Sequence, residues 1–164
     1  MSKDTIRILF VCHGNICRSV MAEMILRHLA EVKGLSSNIF VASRATSGEE
    51  ITSRGGNPIY PPAAAELRRH GIPIADHRAT RLVKEDYDRY DLILGMDGAN
   101  MRNMMRLFGG DPSGKVRKLS ALTGEEWDVA DPWYTDRFDL AYADIERGCL
   151  ALIELLAEGC LGDI

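Results

Sequence analysis

Cys12 and Arg18, five residues apart in the gap, are the first pair in this chain that could do chemistry together. They lie in the segment Val11-Cys12-His13-Gly14-Asn15-Ile16-Cys17-Arg18-Ser19. A cysteine thiolate is a strong nucleophile, and a guanidinium can meet two phosphoryl oxygens with its planar fork. Gly14 lets the backbone curl close to a ligand. If this segment joins a strand to a helix, its backbone N–H groups and the helix dipole make a nest for a tetrahedral oxyanion. The same field stabilises a thiolate at its edge. Attack by Cys12 on phosphorus would give a phosphocysteine intermediate, with Ser19 placed to donate a hydrogen bond to the sulfur. Spacing alone is weak support, since a buried strand-end cysteine beside a solvated arginine would read the same way. The position after an apolar run and before an amphipathic one is what strengthens the chemical reading.

A phenolate leaving group needs a proton, so the mechanism needs an acid. Among the aspartates, Asp131 stands out in Asp131-Pro132-Trp133-Tyr134, because aromatic neighbours suit a flat aryl substrate. Taken alone, the same four residues read more readily as a turn in which Asp precedes Pro and aromatics fill the core.

The elements that must position these groups follow from periodicity. Thr5 to Val11 reads as a buried strand, rich in β-branched and aromatic residues. Cys12 to Arg18 is a tight loop, and Ser19 to Lys33 a helix with Met21, Met24, Ile25, His28, Leu29 and Val32 on one face, stopped by Gly34. Ile39 to Ser43, Asp91 to Met96 and Val116 to Leu119 are further strands, and Thr46 to Pro62 is a long surface loop rich in Gly and Pro. Ala63 to His70, Ala99 to Leu107 and Asp136 to Ala157 are helices, the last with Phe138, Tyr142, Ile145, Cys149, Leu152 and Leu156 on one face. Strands alternating with helices predict an α/β fold: three α-β-α layers around a four-stranded parallel sheet, in one domain over residues 1–164. In such sheets ligands bind beyond the carboxyl ends of strands, where the Cys12 loop falls.

The bulk properties narrow the partners. With 46% hydrophobic residues the chain can bury a core, and its formal charge of -4 argues against broad binding to nucleic acid or anionic membranes. The apolar run Ile8 to Val11 is far shorter than a signal core or a membrane span. The cysteines Cys12, Cys17, Cys149 and Cys160 are too few for a disulfide scaffold and lack zinc spacing, so thiols in a cytoplasmic setting, with no metal and no cofactor, are expected.

Together these residues resemble the low-molecular-weight protein tyrosine phosphatases over essentially the whole chain. VCHGNICRS is similar to that family's phosphate loop and DPWY to its general-acid loop; Ser43, the HGI at His70 to Ile72, the HRA at His77 to Ala79 and the GMD at Gly95 to Asp97 are also similar. The resemblance implies the four-stranded parallel fold and hydrolysis of phosphotyrosine in proteins. It implies Cys12 as nucleophile, Arg18 as phosphate and transition-state binder, and Ser19 as support for the thiolate. His13, Gly14, Asn15, Ile16 and Cys17 would complete the phosphate-binding loop, with Ser43 and His70 behind Asn15 holding it open. Asp131 would protonate the leaving oxygen and then activate water, Trp133 and Tyr134 would wall the aryl ring, and Cys17 would trap an oxidised Cys12 as a disulfide. The family often keeps a second aromatic wall soon after the position of Thr46; here Glu49 and Glu50 stand there.

The expected partner is a phosphotyrosine-containing protein, with no nucleic acid and no membrane, and the chain is expected to work as a monomer or weak dimer. His13, His28 and His77 need no special role on this reading, with His28 a hydrogen-bonded core residue. Met101, Met104 and Met105 pack under their helix, and Cys149 and Cys160 are inert packing thiols. Rival readings each lack a feature. An arsenate reductase of the same fold would carry a further redox cysteine pair, absent from Arg81 to Asp91, and relatives acting on phosphoarginine tend to carry Thr where Ile16 stands. A phosphocysteine carrier has no use for a leaving-group acid. A non-catalytic phosphate- or flavin-binding module has no use for Cys12 and Arg18 together.

Overall fold

A computed structural model describes residues 5–159. Along the chain run β1 (Ile6–Cys12), α1 (Arg18–Val32), β2 (Ile39–Ala45), the short strands β3 (Ile51–Thr52) and β4 (Gly55–Gly56), α2 (Pro61–Arg69) and α3 (Asp86–Arg89). There follow β5 (Leu92–Gly95), α4 (Gly98–Phe108), β6 (Val116–Lys118), a 3-10 turn (Leu119–Thr123), α5 (Pro132–Thr135) and α6 (Phe138–Ala157).

The main sheet has the order β2-β1-β5-β6 and is parallel throughout. β1 is a central strand covered on both faces, which is why its sequence is a continuous apolar run: Ile8, Leu9, Phe10 and Val11 are each 0% exposed. Its alternate side chains feed two clusters. Ile8 and Phe10 join Met21, Ile25, Ile145 and Leu152 of α1 and α6, while Leu9 and Val11 join Ile93, Tyr87 and Met104 on the α4 side. The layers are therefore α-β-α, as expected. No helix among the described residues is long and apolar enough to cross a membrane.

The parallel register puts Cys12, Ala45, Gly95 and Lys118 at one end of the sheet. α4 packs close against this end: a Cβ at Gly95 would lie 2.7 Å from Met104 Cε, so the methionine would have to move aside for any larger residue. The chain leaves that end at Asp97, whose carboxylate caps α4 through the Asn100 N–H while the Asn100 side chain returns the bond.

Several expectations need correction. The stretch from Thr46 to Pro62 is partly ordered as a hairpin, β3 pairing antiparallel with β4, and α2 already begins at Pro61. Gly56 permits this hairpin to dock, since a Cβ there would fall 1.8 Å from the Ala79 carbonyl oxygen. The last helix starts later than Asp136, which takes a left-handed φ of 59° and breaks α5 from α6. On α1, Val32 is 68% exposed, at the helix's last residue rather than on its buried face. His28 is only half-buried, and its side chain makes no hydrogen bond among the described residues. Met104 is buried, while Met105 faces outward. Cys149 is fully buried as expected, and Cys160 lies outside the described residues.

Candidate active site

The Cys12–Arg18 loop follows β1 directly and runs into α1, whose first turn carries no side-chain cap and no acidic residue. Four of the loop's carbonyls are engaged from outside: Cys12 O accepts from Thr46 N, His13 O from Ser47 N, and Ile16 O from Tyr60 N at 2.9–3.0 Å, and Asn15 O from His77 Nε2 at 2.7 Å. A trans peptide points its N–H opposite its C=O. The N–H groups of His13, Gly14, Ile16 and Cys17 therefore turn inward, and among the described residues none of them has a protein partner. Four inward donors at a helix N-terminus are an oxyanion nest.

Asn15 holds this shape. It is a buried non-glycine residue at φ 60°, a left-handed backbone that asparagine tolerates better than most. Its Nδ2 donates to Ser19 Oγ at 2.8 Å and Ser43 Oγ at 2.9 Å, and its Oδ1 accepts from Thr80 N at 3.0 Å. An aspartate could not make the first two bonds, because it has no donor when ionised. The directions then propagate. Ser43 Oγ accepts a hydrogen bond from Asn15, so its own hydroxyl proton points to Glu23 Oε1, 2.6 Å away. Ser19 Oγ likewise accepts from Asn15, so its proton is free for Cys12 Sγ at 3.0 Å. The Asn15 N–H also reaches Cys12 Sγ at 3.3 Å. Two donors thus converge on a sulfur that is 3% exposed.

His70 is not part of this network. Its ring stacks on Tyr142 at a centroid distance of 3.7 Å, with Glu66 beside it. The histidine behind Asn15 is His77, whose Nε2 must carry the proton because a carbonyl only accepts. The docked hairpin explains the exchange: Ala79 N donates to Asn57 O at 2.9 Å, which fixes the 77–80 segment against the loop.

Arg18 is 2% exposed and held by groups from two other segments. Its Nη1 donates to Asp97 Oδ2 at 2.6 Å and to Val129 O at 2.9 Å, and its Nη2 lies 3.4 Å from Asp131 Oδ2. Burial works against the guanidinium charge, but Cys12 and the carboxylates of Asp97 and Asp131 outweigh it and hold the Arg18 pKa above its ordinary value. Burial would raise the Asp97 pKa, yet the Arg18 hydrogen bond and the Asn100 N–H carry it below the usual carboxylate value. Sequence reading assigned Asp97 no role. It sits just past the strand read over Asp91 to Met96, and its grip on Arg18 arises only in the fold.

Asp131 arrives by the same route as Val129, whose N–H binds Met96 O at 2.9 Å at the end of β5. Asp131 caps α5 by accepting from Trp133 N at 3.0 Å. Trp133 leans on Tyr60, with ring centroids 5.0 Å apart. A pocket of about 530 Å³ results, lined by Cys12, His13, Gly14, Ile16, Cys17 and Arg18 below and by Asp131, Trp133, Tyr134, Glu49 and Glu50 around the mouth. Glu49 is exposed and meets His13 Nε2 at 3.2 Å, while Glu50 accepts from Asn57 Nδ2 at 2.7 Å. Burial pushes the Cys17 thiol up, and the charges of Cys12 and Asp131 push it further.

A parallel sheet whose central strand ends in an anion nest, with a thiol at one end and an arginine at the other, defines a phosphoryl-handling α/β protein. The low molecular weight protein-tyrosine-phosphatase YfkJ of Bacillus subtilis is 36% identical over 150 residues, spanning 90% of this chain and 94% of its own length. The low molecular weight phosphotyrosine protein phosphatase of Homo sapiens is 38% identical over 157 residues, spanning 90% of this chain and 93% of its own. The crystal structure of YfkJ matches with a TM-score of 0.87 at 35% identity, covering 94% of this chain and 96% of that one. The chain belongs to the low molecular weight phosphotyrosine protein phosphatase family, which it matches over residues 7–160.

Proposed function

We propose that this chain is a protein-tyrosine phosphatase that hydrolyses phosphotyrosine in proteins through a phosphocysteine on Cys12, with Asp131 as acid and then base. One observation carries the reading: Cys12, Arg18 and Asp131 line a single pocket whose mouth holds Trp133 and Tyr134. The phosphoryl group enters the nest, three of its oxygens facing the loop N–H groups and Arg18. The Cys12 thiolate attacks phosphorus as the phosphorus–oxygen bond to the phenol breaks, and Asp131 delivers its proton to the departing oxygen. Asp131, now a carboxylate, takes a proton from water as that water attacks the phosphocysteine. Inorganic phosphate leaves, and Cys12 returns as a thiolate stabilised by Ser19.

The buried sulfur favours an aryl ester. A substrate must carry its phosphate down past the rim, and a tyrosine ring spans that depth between aromatic neighbours. Ile16 adds an apolar side chain to the same lining. A cytoplasmic setting and action as a monomer or weak dimer belong to the same proposal; Cys12, Cys17 and Cys149 as free thiols support the first.

The test is Cys12→Ser, which should abolish turnover of phosphotyrosine peptides while phosphate binding by calorimetry persists. Arg18→Lys should lose both, because a point charge does not replace the fork. Turnover by Cys12→Ser at more than a trace of the parent rate would sink the mechanism.

A further inference from the structure

Across His13 from the catalytic pocket lies an open cleft of about 930 Å³, lined by Thr46, Ser47, Arg81, Asn103 and Arg106 together with two leucines. The chain has 24 acidic residues against 20 lysines and arginines, yet among the described residues no carboxylate lines this cleft. Its sign is therefore opposite to that of the chain as a whole.

The arginines are available for a ligand. Arg81 is exposed and, among the described residues, makes no side-chain hydrogen bond or ion pair. It lies across Gly48, where a Cβ would come within 3.2 Å of its Nη1, so glycine leaves room for the guanidinium over the loop. Arg106 gives one N–H to Asn103 Oδ1 at 3.1 Å and keeps its other donors. Thr46 Oγ1 is buried with no hydrogen-bond partner, an uncompensated hydroxyl on the wall of the same cleft. Thr46 is also tied to the catalytic loop through its N–H on Cys12 O.

The distance suits a single peptide. Arg81 pairs with Ala45, and Ala45 with Cys12. Two ladder steps separate the backbones by about 10 Å, and an extended peptide covers that in about three residues.

We propose that this cleft is a substrate subsite for a second anionic side chain, phosphoryl or carboxylate, about three residues from the phosphotyrosine. The inference rests on the phosphatase reading above and sets a polarity for the mouth. Glu49 and Glu50 border the catalytic pocket on the acidic side, and Arg81 and Arg106 receive negative charge on the other.

The test uses phosphotyrosine peptides that differ only at the third residue to either side. That position carries alanine, glutamate or a non-hydrolysable phosphonate analogue of phosphotyrosine. Values of kcat/KM are measured for the parent, Arg81→Gln, Arg106→Gln and the double variant, with a small aryl phosphate as control. The parent should prefer the phosphonate peptide over the alanine peptide about fivefold at low salt, in one of the two placements, and less at high salt. The double variant should lose that preference while turning over the aryl phosphate at the parent rate. A glutamate peptide preferred equally, and lost equally, assigns the subsite to anions in general; a phosphonate-only preference assigns it to phosphoryl groups. No preference in the parent, or one that survives in the double variant, overturns the proposal. Failure to hydrolyse even the alanine peptide would instead strike the phosphatase reading, so the two failures are distinct.

Discussion

Replacing Asn15 tests whether one side chain sets both the loop's shape and the direction of its protons. In Asn15→Ala three hydrogen bonds disappear, two buried ones to Ser19 and Ser43 and a half-buried one from Thr80 N. Ser19 and Ser43 keep other partners, Cys12 and Glu23, so each of those losses costs about 1 kcal/mol. The Thr80 N–H is left without an acceptor, which costs about 1–3 kcal/mol. Alanine at the φ of 60° adds about 1 kcal/mol of backbone strain that asparagine partly avoids. The sum is about 4–6 kcal/mol, a large fraction of a typical domain's stability. Asn15→Gly removes the strain but not the lost bonds, and should be about 1 kcal/mol less damaging than alanine.

Urea unfolding of the three proteins measures these differences. Iodoacetate alkylation of Cys12 and kcat/KM with an aryl phosphate report the site. A loop displaced by about 1 Å should lower kcat/KM by about 100-fold. If Asn15→Ala unfolds within about 1 kcal/mol of the parent and keeps its alkylation rate, the loop is held by its carbonyl contacts alone and the proton-direction argument fails.

Asp131→Asn should reduce kcat about 10²–10⁴-fold with a poor leaving group and far less with an activated aryl phosphate; a uniform loss across a leaving-group series would point to a structural role for the cap on α5. Acid should destabilise the protein through Asp97 and Asp111, whose folded pKa values lie below the ordinary one. Their contribution is full above that ordinary value of about 3.9 and is lost as pH falls through the lower folded values. Thermal melts should show a smaller acid-side drop in Asp97→Asn than in the parent, and an unchanged drop would exclude Asp97 as a contributor.

The sheet and the nucleophilic loop were legible because their signals are local. A four-residue apolar stretch of β1 followed by Cys12 and Gly14 marks a buried strand entering a tight loop. The aromatic neighbours of Asp131 marked its segment in the same way. What escaped is what depends on distant contacts. His70 and His77 both follow α2, and no periodicity distinguishes them; the choice is made by Gly56 docking on Ala79. The β3–β4 hairpin has two residues per strand, too few for alternation to show. Asp97 stood only as part of the GMD resemblance: its cap on α4 is local, but its bond to Arg18 joins residues 79 positions apart. The Arg81 and Arg106 cleft joins residues from opposite sides of β5, which no motif spans.

Cys17 brings the buried network back to chemistry. Its thiol is driven toward the protonated form first by burial, then by the negative charges of Cys12 and Asp131, so it does not compete as a nucleophile in the resting site. Peroxide should change that balance. The Cys12 thiolate attacks one peroxide oxygen, hydroxide leaves, and the product is a sulfenic acid without the charge that had opposed ionisation of Cys17. Cys17 can then give up its proton, attack the Cys12 sulfur and expel hydroxide, closing a disulfide. Oxidation of the first thiol would thus relieve one of the causes that silence the second. Peroxide should therefore inactivate the parent reversibly, with activity recovered by dithiothreitol. Cys17→Ser should pass on to sulfinic acid, recover little, and show a mass increase of two oxygens on the Cys12 peptide. Complete recovery of Cys17→Ser under the same treatment would show that the sulfenic acid persists unaided, and the argument from charge relief would fall.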